Sequence, residues 1–372
     1  MELTFSENKI PEKARLNRFL RIPIICIALI RVFLGANPYD VNGAIENYQF
    51  DIDKSNKWQV LKLKMKMSFY RYAYEFRFNE FASYGFEHKN RKECLEYVAA
   101  YEYLRIRNEI ITKPDYIEYF TDKRTTYEHF KPFFKRDVVF IDNPDDFDLF
   151  KNFADSHDVF VFKIAKSNNG NGVKIIDSKN ENILNLFNKA ISEGGAILEE
   201  LINQPGIMHD VHPSSVNTVR YVTYYDNEKL TKISTVFRFG RGGARIDNAS
   251  QGGLYAYINP VTGIIETDGM VEYKSDKFKY HPDSNITIKG IQMPAWDELQ
   301  EMIAEIVKYC PGKKLVGWDF AYSDKGWVLI EGNSFPGINV YQSARGKGLR
   351  KMYSQTYFKE SKYWKKYSNA IY

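Results

Sequence analysis

Asp319, Glu331 and Asn333 are the residues whose types and spacing point most directly to chemistry. They lie in LVGWDFAYSDKGWVLIEGNSFPG (residues 315–337), two β-like apolar runs around the turn Ser323-Asp324-Lys325-Gly326. Glu331 and Asn333 are spaced i, i+2, so both side chains leave the same face of one strand. Folding the hairpin places Asp319 roughly opposite that pair, and three hard oxygen donors then converge. Such a set suits Mg²⁺ shared with phosphate oxygens. The plainer alternative is three solvated polar residues near a hairpin end.

A second segment strengthens the phosphate reading. In VFVFKIAKSNNGNGVKII (159–176), two apolar runs enclose the loop Ser167-Asn168-Asn169-Gly170-Asn171-Gly172, and Lys163 projects from the first run. A strand, a loop of small residues and a second strand can lay backbone N–H groups over phosphates, which puts Ser167, Gly170 and Gly172 at the nucleotide. Lys163 would add a point charge. Many Asn/Gly hairpins bind nothing, and the spacing is neither a Walker loop nor a Rossmann fingerprint. Arg220, Arg238, Arg241 and Arg245 form the other notable set. They are either surface ion-pair partners or the fixed positive charge that brings a carboxylate to a phosphate, with Arg220, Arg238 and Arg241 the stronger catalytic candidates. Asp247-Asn248 ahead of Gly252-Gly253 reads as a closing loop in which Asn248 either orients an acceptor or forms an Asx-turn.

In this order the segments resemble the ATP-grasp superfamily. The stretches SSVNTVRYVTYY (214–225) and VFRFGRGGARIDNASQGGLYAYINPVTGII (236–265) narrow the resemblance to its sugar-transfer-associated branch. The resemblance covers about residues 115–340 and implies an α+β ATP-grasp fold, in which two α+β lobes clamp ATP. It also implies roles. Lys123 and Lys163 match the two ATP lysines, and Glu199, Glu200, Leu201 and Ile202 match the connector whose backbone reads adenine. Gln204 falls near the ribose, and Asp319, Glu331 and Asn333 match the Mg²⁺ ligands. ATP and Mg²⁺ are therefore the expected cofactors.

The superfamily's usual reaction joins a carboxylate to an amine through an acyl phosphate. That needs no protein nucleophile, and no GxSxG or Cys/His signature is present. The expected substrates are a small-molecule carboxylate and amine, sugar-linked, in a cell-surface polysaccharide precursor such as capsule or O-antigen. A phosphotransferase acting on a sugar would share the same clamp. A non-catalytic nucleotide- or glycan-binding module is disfavoured, because Lys163, Asp319, Glu331 and Asn333 are all retained.

Composition agrees with a globular enzyme. The 372 residues are 44% hydrophobic and 27% charged, enough for a large core divided into two or three domains. A formal charge of +5 suits anionic substrates or anionic membrane, and is too mild to argue for nucleic acid. Cys26, Cys94 and Cys310 are far apart and suggest no disulfide frame, so a reducing cytosol is the simpler home. His209 and His212 read as loop histidines.

Five segments are expected to position these residues. Residues 1–34 place Lys13, Arg15, Arg18 and Arg21 ahead of an apolar run, Ile22–Leu34, broken only by Arg31. That run is too short to span a bilayer, for which about 20 residues are needed. It is either a packed helix or a basic interfacial segment making peripheral contact with anionic membrane. Residues 35–114 form a helical N-terminal region, with 57–110 reading as helical throughout and one helix at Arg91–Arg107. Residues 115–202 form the nucleotide-binding lobe and 203–340 the catalytic lobe. Residues 341–372 read as a basic tail, by default a solvated helix face and otherwise an electrostatic contact to membrane or glycan phosphate.

Overall fold

The computed structural model describes residues 18–35, 41–114, 116–120, 122–165, 173–243, 252–272 and 276–371, with the side chains of 18–21 and 367–371 outside the description. Ser167, Gly170, Gly172, Arg245 and Asn248 lie outside the described residues. Among the described residues, six α-helices come first: α1 (Arg18–Phe33), α2 (Val41–Asn47), α3 (Lys57–Tyr74), α4 (Phe78–Ser83), α5 (Arg91–Leu95) and α6 (Ala100–Ile110). The first lobe follows, with α7 (Lys123–Phe134), β1 (Val138–Ile141), α8 (Phe147–Ser156), β2 (Val159–Ile164), β3 (Val173–Asp177), α9 (Ile183–Ser192) and β4 (Ala196–Glu200). The second lobe holds α10 (Ile207–Asp210), β5 (Thr218–Asp226), β6 (Lys229–Phe239), β7 (Leu254–Tyr257), β8 (Gly269–Val271), β9 (Lys277–Phe278), α11 (Trp296–Ile306), β10 (Leu315–Ser323) and β11 (Gly326–Asn333). Among the described residues, the α-helices after the hairpin are α12 (Asn339–Arg345), α13 (Arg350–Gln355) and α14 (Lys362–Ile371).

Two antiparallel sheets carry the lobes, which is the expected α+β arrangement. The smaller has the order β1-β4-β2-β3 and the larger β11-β10-β5-β6-β7-β8-β9, so the β10–β11 hairpin forms one edge of the larger sheet. Alternation along its strands sends Val219, Tyr221, Phe237, Trp318 and Phe320 into a core beneath α7 and α11. Val222, Tyr224, Val236 and Leu315 point the other way, into a second core shared with Tyr103, Ile106, Tyr341 and Tyr353. Each face therefore meets a separate apolar layer.

The N-terminal region departs from the expected continuous helix. Asn56 caps α3, its side chain accepting from the N–H groups of Trp58 and Gln59, but the helix stops at Glu75 in a left-handed conformation (φ 66°). Glu75 is there drawn into a buried pair with Arg105 at 2.7 Å. The expected helix Arg91–Arg107 is likewise split, because the backbone between α5 and α6 bonds to distant residues. Val98 donates its N–H to Gln342 Oε1 at 2.8 Å, and its carbonyl accepts from Gln342 Nε2 at 2.9 Å. The Tyr97 carbonyl accepts from Arg350. Partners more than two hundred residues away replace the local helical bonds, which no periodicity can register.

The C-terminal segment also differs from a solvated tail. Tyr341, Tyr353, Phe358 and Trp364 are buried, and Arg350 is 2% exposed. Its guanidinium donates to both Glu102 carboxylate oxygens at 2.6 Å. The positive charge that marks this segment in sequence is partly spent inside the fold, clamping the last helices to α6.

Candidate active site

The central feature is a row of three side chains across three strands. Asp319 pairs with Glu331 on one side and with Arg220 on the other. All three project from the face of the large sheet that also carries Arg238, whose strand neighbour is Thr218. A β-bulge makes this possible. Pairing runs Asp319↔Glu331 and then Phe320↔Leu329, so Ile330 is an extra residue in β11. Without it, Glu331 and Leu329 would share one face, and Leu329 is fully buried in the apolar core. The extra residue turns Glu331 and Asn333 to the opposite face, a common use of bulges beside functional sites.

Asp319 is 3% exposed and receives a bidentate contact from Arg220 together with a hydrogen bond from Arg238 Nη1 at 3.1 Å. Burial alone would raise its pKa, but Arg220 and Arg238 outweigh that and hold it below the usual carboxylate range. Arg220 and Arg238, expected to act on a phosphate, are thus both joined to Asp319. Tyr341, which the sequence did not flag, hydrogen-bonds Arg220, and burial pushes its hydroxyl up to about 12.

Glu331 is the more available carboxylate, with 54% of its side chain exposed. Crowding around the carboxyl end and then the like charge of Asp319 raise its pKa. Asn333 Nδ2 donates to Glu331 Oε1 at 3.3 Å, which leaves the Asn333 carbonyl oxygen free to turn toward a cation. Two close carboxylates, one pushed up by the other, together with an amide oxygen form a hard-oxygen set that fits Mg²⁺. Gly332 lies between them because a Cβ there would overlap the Phe120 ring, and Gly317 because one would sit 2.8 Å from Pro336.

The smaller sheet supplies the facing groups. Lys163 on β2 pairs with Glu199 on β4 at 2.5 Å. Burial opposes ionisation of Glu199, but Lys163 and Arg136 overcome it and hold the carboxyl at about 2. Arg136, another residue without a sequence signal, reaches Glu199 Oε2 at 3.1 Å and also donates to the Leu329 carbonyl of β11. It therefore joins the two sheets. Lys123 begins α7, whose cap is Asp122 accepting from the Thr125 N–H at 2.9 Å. Although much of its side chain is exposed, the crowded amine and the like charge of Lys163 lower its pKa, with Glu199 and Glu331 opposing. Lys123 thus feels both Lys163 of the smaller sheet and Glu331 of the larger one.

The connector after β4 crosses the same gap. Glu200 accepts from Lys325 in the hairpin turn at 2.6 Å, and Asn203 O accepts from the Asp324 N–H at 3.2 Å. Leu201 and Ile202 are half-buried between these anchors. The Gln204 amide is engaged with the Asn217 backbone, donating to its carbonyl at 2.9 Å and accepting from its N–H at 2.6 Å. The side chain thereby braces the connector. Arg241 Nε donates to the Gly252 carbonyl at 2.7 Å, and its guanidinium lies over the Phe278 ring.

Two sheets joined by a connector, with paired lysines on one side and a carboxylate–amide set at a hairpin edge on the other, define an ATP-grasp protein. The family model for sugar-transfer associated ATP-grasp proteins matches residues 117–357, and the chain belongs to that family. A search of curated protein sequences finds no match. Among solved structures, D-alanyl-alanine synthetase A from Vibrio cholerae O1 biovar eltor str. N16961 is similar over 64% of this chain and 64% of its own, at 14% identity and a TM-score of 0.40. The chain thus spans just under two thirds of that relative's length. Phosphoribosylamine–glycine ligase from Thermotoga maritima is similar over 65% of this chain and 61% of its own, at 11% identity and a TM-score of 0.40. The ATP-grasp ligase PsnB, in complex with a minimal precursor, is similar over 84% and 78%, at 10% identity and a TM-score of 0.39.

Proposed function

We propose that this chain is an ATP-dependent carboxylate–amine ligase that modifies a cell-surface polysaccharide precursor, for example by forming an amide between a sugar uronate and an amino acid or other amine. The observation that carries the reading is the Arg220–Asp319–Glu331 row facing Lys123 and Lys163. Fixed positive charge and cation-binding oxygens meet there, where two anionic reactants must be brought together.

In this reading Lys123 and Lys163 hold the phosphate chain from the side of the smaller sheet. Glu199 keeps Lys163 extended, and the connector at Leu201 and Ile202 offers backbone groups to adenine. Glu331 and Asn333 would hold Mg²⁺, with Asp319 at its back, and the metal would neutralise charge on the phosphates. Arg220 and Arg238 orient Asp319 and keep the field at the reacting oxygens positive. A substrate carboxylate oxygen bonds to the γ-phosphorus as the bond to ADP breaks. The amine then attacks the acyl carbon, inorganic phosphate leaves, and the amine's proton passes to solvent. Positioning and electrostatics supply the catalysis. The sugar-linked acceptor rests on the family membership, and a lipid-carried precursor on the cytoplasmic side would be within reach of ATP.

Incubation with ATP, Mg²⁺ and candidate uronate–amine pairs tests this directly. ADP and phosphate should appear only when both substrates are present, together with an amide product. Release of AMP would overturn the acyl-phosphate route, and phosphate retained on the acceptor would identify a phosphotransferase instead.

A further inference from the structure

Helix α1 (Arg18–Phe33) is apolar on both sides. Ala28 and Val32 are buried, and the helix packs along α3 (Lys57–Tyr74). The opposite side does not turn polar. Ile22, Cys26, Ile30 and Phe33 follow one another along a stripe at helical spacing and are exposed, with Ile22, Ile30 and Phe33 each more than half exposed. Ile27 and Leu34 widen the stripe, and Trp58 at the start of α3 is 75% exposed. A helix with apolar residues on its outward face as well as its inward one marks an interaction surface.

Charge chooses the occupant. The sequences of α1 and α3 together contain Arg18, Arg21, Arg31, Lys57, Lys62, Lys64, Lys66 and Arg71, and neither holds an Asp or a Glu. Lys57 and Lys62 are exposed, as is Arg31 at the margin of the stripe. An exposed apolar stripe with a tryptophan, on a helix pair that carries Lys and Arg but no Asp or Glu, matches the boundary of an anionic bilayer: acyl chains meet the isoleucines, the indole sits at headgroup depth and the cations meet phosphates. The helix is about 24 Å long, and among the described residues no helix is long and apolar enough to cross a membrane. It would therefore lie in the interface plane.

We propose that the outward face of α1, with Trp58, is a docking surface for an anionic phospholipid bilayer. The surface holds the protein peripherally while α1's inward face stays packed on α3. The sequence left packing helix and interfacial segment as alternatives; the inward face is packed on α3, and the proposal assigns the outward face to the membrane.

Flotation of the full-length protein with phosphatidylcholine vesicles, alone or mixed with phosphatidylglycerol, tests this. The protein should rise with the mixed vesicles only, and rise less at 1 M salt, where the Debye length is about 3 Å. The exposed substitutions Ile30→Asp and Phe33→Asp together should lower the bound fraction about tenfold or more, with unchanged circular dichroism and melting temperature. Lys62→Glu should weaken binding to mixed vesicles by a smaller factor. The proposal is overturned if the wild type ignores both vesicle types, or if it binds phosphatidylcholine alone equally well. It is also overturned if the double variant binds like wild type. A wild type that ignores vesicles yet sediments as a dimer, dissociated by Ile30→Asp, would assign the face to a second copy of the chain.

Discussion

Arg220 and Asp319 face each other across β5 and β10, and the guanidinium grips both carboxylate oxygens from one side while Arg238 approaches Oδ2 from the next strand. All three side chains sit on a sheet face sealed by Tyr341 and its neighbours. The carboxylate is therefore the counter-charge of two largely buried cations before it is anything else. Asp319→Asn should remove that charge while keeping the shape. Losing one member of a buried ion pair costs about 3–5 kcal/mol, so urea denaturation should show a clear loss of stability along with lost turnover. Wild-type stability in Asp319→Asn would mean the arginines are paired elsewhere.

Glu331→Gln should separate chemistry from folding. More than half of the side chain meets solvent, so the folded state should change by less than about 1 kcal/mol. ATP turnover should nevertheless disappear, because the replacement is a weaker ligand for a divalent cation. Unimpaired turnover at low millimolar Mg²⁺ would take Glu331 out of the site. Asn333→Ala should act in the same direction with a smaller loss.

The raised pKa of Glu331 sets an acid limit on activity. A raised carboxyl pKa favours the neutral form in the folded state, so its contribution to stability is full at low pH and is lost as pH rises through the folded value. The cation-binding form behaves in the opposite sense and is lost as pH falls through that same value. A divalent cation competes with the proton for this oxygen, so raising Mg²⁺ should move the acid limb of the rate profile to lower pH. An acid limb indifferent to Mg²⁺ would assign it to another group.

Glu199 gives a stability signature instead. Its folded pKa of about 2, held by Lys163 and Arg136 against burial, lies below the ordinary glutamate value. The corresponding stability is present above that ordinary value and is lost as pH falls toward 2, a contribution of about 3 kcal/mol by linkage. Lys163→Met should therefore shift acid unfolding to higher pH, measured by circular dichroism. An unchanged acid midpoint would show that Arg136 alone holds the carboxylate.

Arg350 and Glu102 fasten the C-terminal helices to α6. Arg350→Met leaves Glu102 buried without its partner and should cost about 3–5 kcal/mol, whereas adding Glu102→Leu should recover part of that loss. A denaturant-based double-mutant cycle measures the coupling. Additive losses would mean the two side chains do not interact in solution.

The hairpin and the strand–loop–strand that carries Lys163 are legible in the chain because each is written locally, as apolar runs around a turn or a loop of small residues. Hairpin geometry brings Asp319 and Glu331 to neighbouring positions but does not by itself put them on one face. Tertiary structure decided where those groups point and what they touch. Ile330 as an extra residue turns Glu331 away from the core, and one unpaired residue in a strand leaves no mark on composition or period. Arg136, Tyr341 and Gln342 enter through contacts across 63 to 244 residues, or across the sheet from Arg220, so no window along the chain contains both partners. The interruptions at Glu75 and at residues 96–99 arise likewise, since propensity is a weak local preference that a buried ion pair or a glutamine bonded to the backbone overrides. Local pattern thus set the elements and the kinds of donor, while long-range packing set the faces, the partners and the charges at the site.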